Sequence, residues 1–173
     1  TESPPHYFAG ACRIGRDKLL MLDRVSGLWD RAGSQGLAAL RSEKLVRTDD
    51  WFFKAHFFQD PVQPGSLGIE AMIQLLQFYM LHSGMDKGRE ELRFKVIDSD
   101  WQMNWKYRGQ VTPANEKIEI TMDIIARGED DRGPFAVANA CLWIDGLCIY
   151  SITDLSVRMV SDKAQRRMNK SSI

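Results

Sequence analysis

The sequence predicts an α+β fold in which one long helix is covered by one antiparallel sheet. Residues 67–82 (LGIEAMIQLLQFYMLH) are rich in strong helix formers and apolar on nearly every side, as expected of a helix inside a core. Beyond it, residues 101–108, 117–127, 135–145 and 147–160 are rich in β-branched and aromatic residues and separated by turn signals. No repeat or linker divides the chain, and 173 residues suffice for one core burying ~70% of the unfolded surface. Residues 1–160 therefore read as a single domain, and 161–173 (SDKAQRRMNKSSI) as a polar tail expected to be disordered.

The elements follow in order. Residues 19–29 (LLMLDRVSGLW) read as a strand, with Ser26 and Gly27 blurring its end, and Gly33, Ser34 and Gly36 mark a turn. Residues 37–46 read as a second strand, although their Ala, Leu, Glu and Lys also suit a short helix. Residues 49–68 hold five aromatics, two prolines and two glycines without a period. They are expected to form an irregular, largely buried segment anchored by Trp51, Phe52, Phe53, Phe57 and Phe58. The helix after it is preceded by Pro64, Gly65 and Ser66 and stopped by Gly84. Asp145-Gly146 is a tight-hairpin signal between the last two strands.

Composition removes several function classes. Lys plus Arg and Asp plus Glu total 23 each, so no net field draws the chain to nucleic acid or to an anionic membrane. Cys12, Cys141 and Cys148 lack C-x-x-C spacing, which suggests neither a disulfide framework nor a zinc ribbon and fits a reducing, cytoplasmic setting. The N-terminal residues lack the apolar core of a signal peptide, and no stretch approaches the ~20 apolar residues of a membrane span. His6 and His82 add no metal-ligand spacing, and no Walker or Rossmann glycine pattern occurs, so neither metal nor nucleotide is expected.

Glu70, Gln74 and Gln77, at spacings of four and three, form one polar line on the otherwise apolar helix. Such a line is either a solvent-facing seam or a partly buried acid of the kind a proton donor needs. His56 stands fourteen residues before Glu70, across a stretch stiffened by Pro61 and Pro64. It is either a packing residue of the loop or the base that complements Glu70. Pro64-Gly65-Ser66 delivers backbone N–H groups at the helix start, where the helix dipole favours a developing negative charge on a carbonyl oxygen. Base, acid and oxyanion donors together suit removal of a proton α to a carbonyl with loss of a β-hydroxyl. Ser66 reads as the helix N-cap; as a nucleophile it lacks a G-x-S-x-G elbow.

The stretch HFFQDPVQPGSLGIEAMIQLLQFYM (residues 56–80) resembles the active-site segment of the bacterial β-hydroxydecanoyl-acyl-carrier-protein dehydratase/isomerase (FabA-type) family. LLMLDRV (19–25), WFFKAHF (51–57), YRGQVTP (107–113) and IDGLCIYSITDLSV (144–157) resemble the same family in the same order. WKYRGQVTP and GSLGIEA are more similar still to dehydratase domains of polyunsaturated fatty acid synthases and related polyketide-type megasynthases.

The resemblance implies a hotdog fold and a 3-hydroxyacyl-carrier-protein dehydratase working as a homodimer or paired hotdog, each site taking its His from one fold and its acid from the neighbour. It makes His56 the base, Glu70 the acid and Gly65 the N–H that polarises the thioester carbonyl, with Gln74 supporting the acid. Phe57, Pro64, Ser66 and Gln74 are expected to line the substrate site. No cofactor is implied beyond the phosphopantetheine that carries the substrate on acyl carrier protein, the expected partner. The family proper has Asp where this chain has Glu70 and Cys where it has Ser66, so dehydration is expected with at most minor double-bond isomerisation. A hotdog thioesterase or a non-catalytic acyl-carrier-binding hotdog would be the alternatives.

Overall fold

A proline fixes where the central helix begins. The structure, a computed structural model, describes residues 12–89, 92–96 and 100–161. Helix α2 spans Gly65–His82, with Pro64 at its N-cap and no side chain capping it. It ends because Gly84 takes φ +69°, a conformation other residues resist. Gly84 N–H then donates to Leu81 O at 2.9 Å and Met85 N–H to Met80 O at 3.0 Å, closing the last turn. The expected stop at Gly84 is found, while the start lies two residues earlier than expected. Ser66 is therefore not the N-cap: it sits exposed inside the first turn.

Seven strands complete the fold: β1 (Arg24–Trp29), β2 (Ala39–Leu45), β3 (Leu92–Val96), β4 (Asn104–Tyr107), β5 (Lys117–Asp130), β6 (Gly133–Ile144) and β7 (Leu147–Ser161). They form one sheet in the order β1-β2-β5-β6-β7-β3, with β4 also paired to β7. Every pairing is antiparallel. Alternate residues of β5 (Ile118, Ile120, Met122, Ile124) and of β6 (Ala138, Ala140, Leu142, Ile144) are buried against α2, which packs on β5, β6 and β7. Each such Leu, Ile or Met contributes roughly 1.5–3 kcal/mol by leaving water. The β6–β7 turn has φ of 50° at Asp145 and 87° at Gly146, the two positive values a two-residue hairpin of this twist requires.

The structure alters five further sequence expectations. Residues 19–23 are not strand, since β1 begins at Arg24; a 3-10 turn (Asp17–Leu19) precedes it, and Leu19 O and Met21 N are taken by the Gln74 side chain. Strand β3 was not expected. Its five residues and β4 share one edge of β7, at Leu92↔Ser161 through Val96↔Val157 and at Asn104↔Thr153 through Tyr107↔Tyr150. The segment before α2 contains a short helix, α1 (Trp51–Ala55), which buries Phe52 and Phe53. Phe57 and Phe58 do not anchor the loop: they are 58% and 92% exposed. Strand β7 runs through Ser161, one residue past its expected end at Val160, and the expected tail from residue 162 on lies outside the described residues.

Candidate active site

His56 is the residue at which α1 stops. Its N–H donates to Phe52 O at 2.9 Å, and its carbonyl accepts from Val62 N–H at 2.9 Å. Its ring Nδ1 lies 3.1 Å from Val62 O. A carbonyl can only accept, so Nδ1 carries a hydrogen toward it, which leaves Nε2 as the ring nitrogen that could accept a proton. The half-buried ring stacks on Phe57 at 3.8 Å, and the His56–Phe57 peptide is cis. A base oriented through its other nitrogen is the arrangement proton abstraction requires.

Gly65 opens α2. Gln63 N–H just before it is held by Val111 O at 2.9 Å, and Pro64 has no N–H to offer. Leu67 N–H bonds Pro64 O at 2.9 Å, whereas no acceptor within the described residues takes the N–H of Gly65 or Ser66. A Cβ on Gly65 would lie 3.1 Å from Tyr107 Cε2 and 3.2 Å from Trp105 Cη2. Strand β4 thus lays two half-exposed aromatic rings over the helix start, leaving backbone N–H groups and the positive end of the dipole in an apolar setting. One turn on, Gly68 lies against Tyr150. Burial, with Tyr107 beside it, pushes the Tyr150 phenol up.

Glu70 is half-buried, and its Oε1 accepts from Gln74 Nε2 at 2.8 Å. Gln74 is fully buried and Gln77 nearly so. At Gln74 and Gln77 the polar line on α2 is therefore not a solvent-facing seam, and Leu19 and Met21 bond the Gln74 side chain there. The structure places the candidates in two local groupings, His56 in the loop after α1 and Gly65 with Glu70 in the first turns of α2. Within one chain no hydrogen bond or ion pair joins His56 to Glu70 among the described residues. Neither broad surface groove, one between β1 and β2 and one across the outer sheet face, includes His56, Gly65 or Glu70. Sequence reasoning missed Trp105, Tyr107 and Tyr150; the glycines at 65 and 68 were the available sign that bulky groups approach the helix closely.

Among the described residues no three His, Cys, Asp or Glu side chains gather to hold a metal ion, and no helix is long and apolar enough to cross a membrane. Cys12, Cys141 and Cys148 are free thiols, and burial pushes Cys12 up to about 12, where it stays protonated.

An antiparallel sheet curled around one central helix is a hotdog fold. The chain belongs to the FabA-like domain family, whose profile matches residues 14–153. It is 32% identical over 152 residues to a polyunsaturated fatty acid synthase polypeptide of a Thraustochytrium species, a match covering 88% of this chain and 10% of that protein. The chain thus spans about a tenth of that relative's length. Among solved structures, the dehydratase heterocomplex ApeI:P from Xenorhabdus doucetiae matches with a TM-score of 0.62 at 12% identity, over 90% of this chain and 92% of the other. A probable thioesterase from Bartonella henselae matches with a TM-score of 0.51 at 12% identity, over 72% and 93%. At these identities the structural likenesses speak for the fold alone.

Proposed function

We propose that this domain dehydrates 3-hydroxyacyl thioesters carried on the phosphopantetheine of acyl carrier protein, in polyunsaturated fatty acid or polyketide-type synthesis. The observation that carries this reading is His56, whose Nδ1 is tied to Val62 O so that Nε2 is presented as a base. Hydrolysis by water needs no α-proton acceptor; elimination does. Nε2 takes the α-proton, and the electrons move onto the thioester oxygen, steadied by Gly65 N–H. As the enolate collapses, the carbon–oxygen bond at the β-carbon breaks and Glu70 supplies the proton that lets hydroxide leave as water. Phe57 beside His56 and Pro64 and Ser66 beside Gly65 border the path of the chain. The open loop tip at Phe57 and Phe58, and the lack of a His56–Glu70 bond within one chain, support a paired hotdog in which base and acid come from different folds. Exposed Lys106 and Arg108 lie one strand period apart, where they suit the acidic carrier protein.

The test is chromatography with mass spectrometry on a panel of 3-hydroxyacyl carrier proteins. The expected early product is the trans-2-enoyl thioester, with 3-enoyl minor, because Glu70 reaches one methylene further than the Asp of the family proper. His56→Ala and Glu70→Ala should each lower turnover ~100-fold or more while the protein stays folded. Release of free thiol without enoyl product would establish the thioesterase alternative instead.

A further inference from the structure

Gln74 has no freedom to turn its amide end for end. Its Oε1 accepts from Met21 N–H at 2.8 Å, and its Nε2 donates to Leu19 O at 2.6 Å. A backbone N–H only donates and a backbone carbonyl only accepts, so these two groups dictate which end of the amide is which. The second Nε2 hydrogen is thereby aimed at Glu70 Oε1, 2.8 Å away. Reversed, the amide oxygen would face the Leu19 carbonyl and the amide NH2 would face Met21 N–H, all inside a site where Gln74 is 0% exposed.

The segment that sets this polarity is itself pinned. Leu19 N–H and Leu20 N–H close the 3-10 turn onto Arg16 O and Asp17 O at 3.1 Å, and Met21 and Leu22 are buried. The Trp51 indole N–H donates to Lys18 O at 2.9 Å, and Asp23 N–H to Glu43 O at 3.0 Å. Trp51 opens the helix that ends at His56, so one framework holds the segment and the base-bearing loop.

We infer that residues 19–21 are a positioning strap for the acid: acting through Gln74, they keep Oε1 of Glu70 occupied as an acceptor and leave Oε2 as the oxygen that gives its proton to the departing hydroxyl. This rests on the dehydratase reading. Met21 and Gln74 are positioning residues; of the three groups in this chain of contacts only Glu70 touches the reacting atoms.

Met21→Pro removes the one N–H that orients Gln74; Leu20 before it is already extended (φ −76°, ψ 111°), as a residue preceding proline must be. Met21→Leu keeps the N–H and the buried volume, and Gln74→Met keeps the shape of Gln74 without its polar ends. In the full chain, Met21→Pro and Gln74→Met should lower kcat by roughly 10-fold or more with KM nearly unchanged, the signature of a misaligned group, while Met21→Leu matches the unmodified protein. By NMR, the Gln74 side-chain amide protons should exchange slowly in the unmodified protein and in Met21→Leu, and fast in Met21→Pro. A folded Gln74→Met protein with normal kcat, or a loss confined to KM, overturns the strap, and Gln74→Met carries the test if Met21→Pro does not fold. An unmodified protein that dehydrates no substrate overturns the dehydratase reading, while slow amide exchange in it would still show the strap gripping Gln74.

Discussion

A methyl group added at either of two glycines on α2 meets very different neighbours. At Gly68 it would lie 2.1 Å from Cε2 and 2.8 Å from Cδ2 of Tyr150, and 3.2 Å from Leu142. Both neighbours are fully buried, so neither can retreat without opening the core. Gly68→Ala is therefore expected to cost about 1–3 kcal/mol, read as a lower urea midpoint at unchanged slope. At Gly65 the same methyl would meet the outer ends of two half-exposed rings, which have solvent to move into. This difference could not be read from GSLGIEA alone. His56, Gly65 and Glu70 stood out as candidates because a histidine, a glycine at a helix start and a carboxylate close together in sequence carry chemistry in their identities. Trp105, Tyr107 and Tyr150 were not, because they reach the helix start from strands about forty or more residues further along the chain.

At the scale of the element, turns and charge clusters hold the sheet in register. Asp145 lies below the usual carboxylate range because the Asn115 amide and the N–H groups of Lys117 and Glu116 donate to it, pinning the β6–β7 turn to the start of β5. Burial pushes Asp130 up, but Arg132 and the buried Arg158 outweigh it and leave Asp130 low. Arg132 likewise holds Asp100 low, and Arg24 holds Glu43 low on β2. For a depressed carboxylate, the unfolded chain takes up the proton first as the pH falls. The stability these groups give is complete above the ordinary carboxylate range of about 4 and is lost as the pH drops through their lowered folded values. The urea midpoint should thus be level from about pH 7 to 5 and fall below about pH 4; a midpoint flat to pH 3 would contradict this network. The long strands β5, β6 and β7 were legible from their β-branched and aromatic residues and from Asp145-Gly146. Strand β3 escaped notice because LRFKV is five residues long, two of them basic, and its partner is the far end of β7. The strand expected over residues 19–29 failed at its first half for a different reason: its backbone is spent on a glutamine side chain over fifty residues away.

At the scale of the whole molecule, one fold carries all three catalytic candidates yet leaves apolar surface beside them. Phe57 and Phe58 are 58% and 92% exposed at the tip of the His56 loop, and Trp105 and Tyr107 are 38% and 43% exposed on β4 beside Gly65. Strand β4 is exposed along its whole length, and among the described strands it pairs only with β7, so its outer edge offers unspent backbone groups. Aromatic area beside an open strand edge is what a second copy would cover, and a two-fold pairing would place the same loop and edge on both partners. A homodimer or a paired hotdog in solution is therefore expected, with turnover depending on it, since the base of one fold would work with the acid of the other. Phe58→Glu puts a charge on the most exposed aromatic without touching the core, so the single chain should stay folded while association weakens. Light scattering under assay conditions should then show a smaller mass together with a proportional loss of dehydration, both recovering as protein concentration is raised. A fully active monomer, in the unmodified protein or in Phe58→Glu, would show that each chain completes its own site.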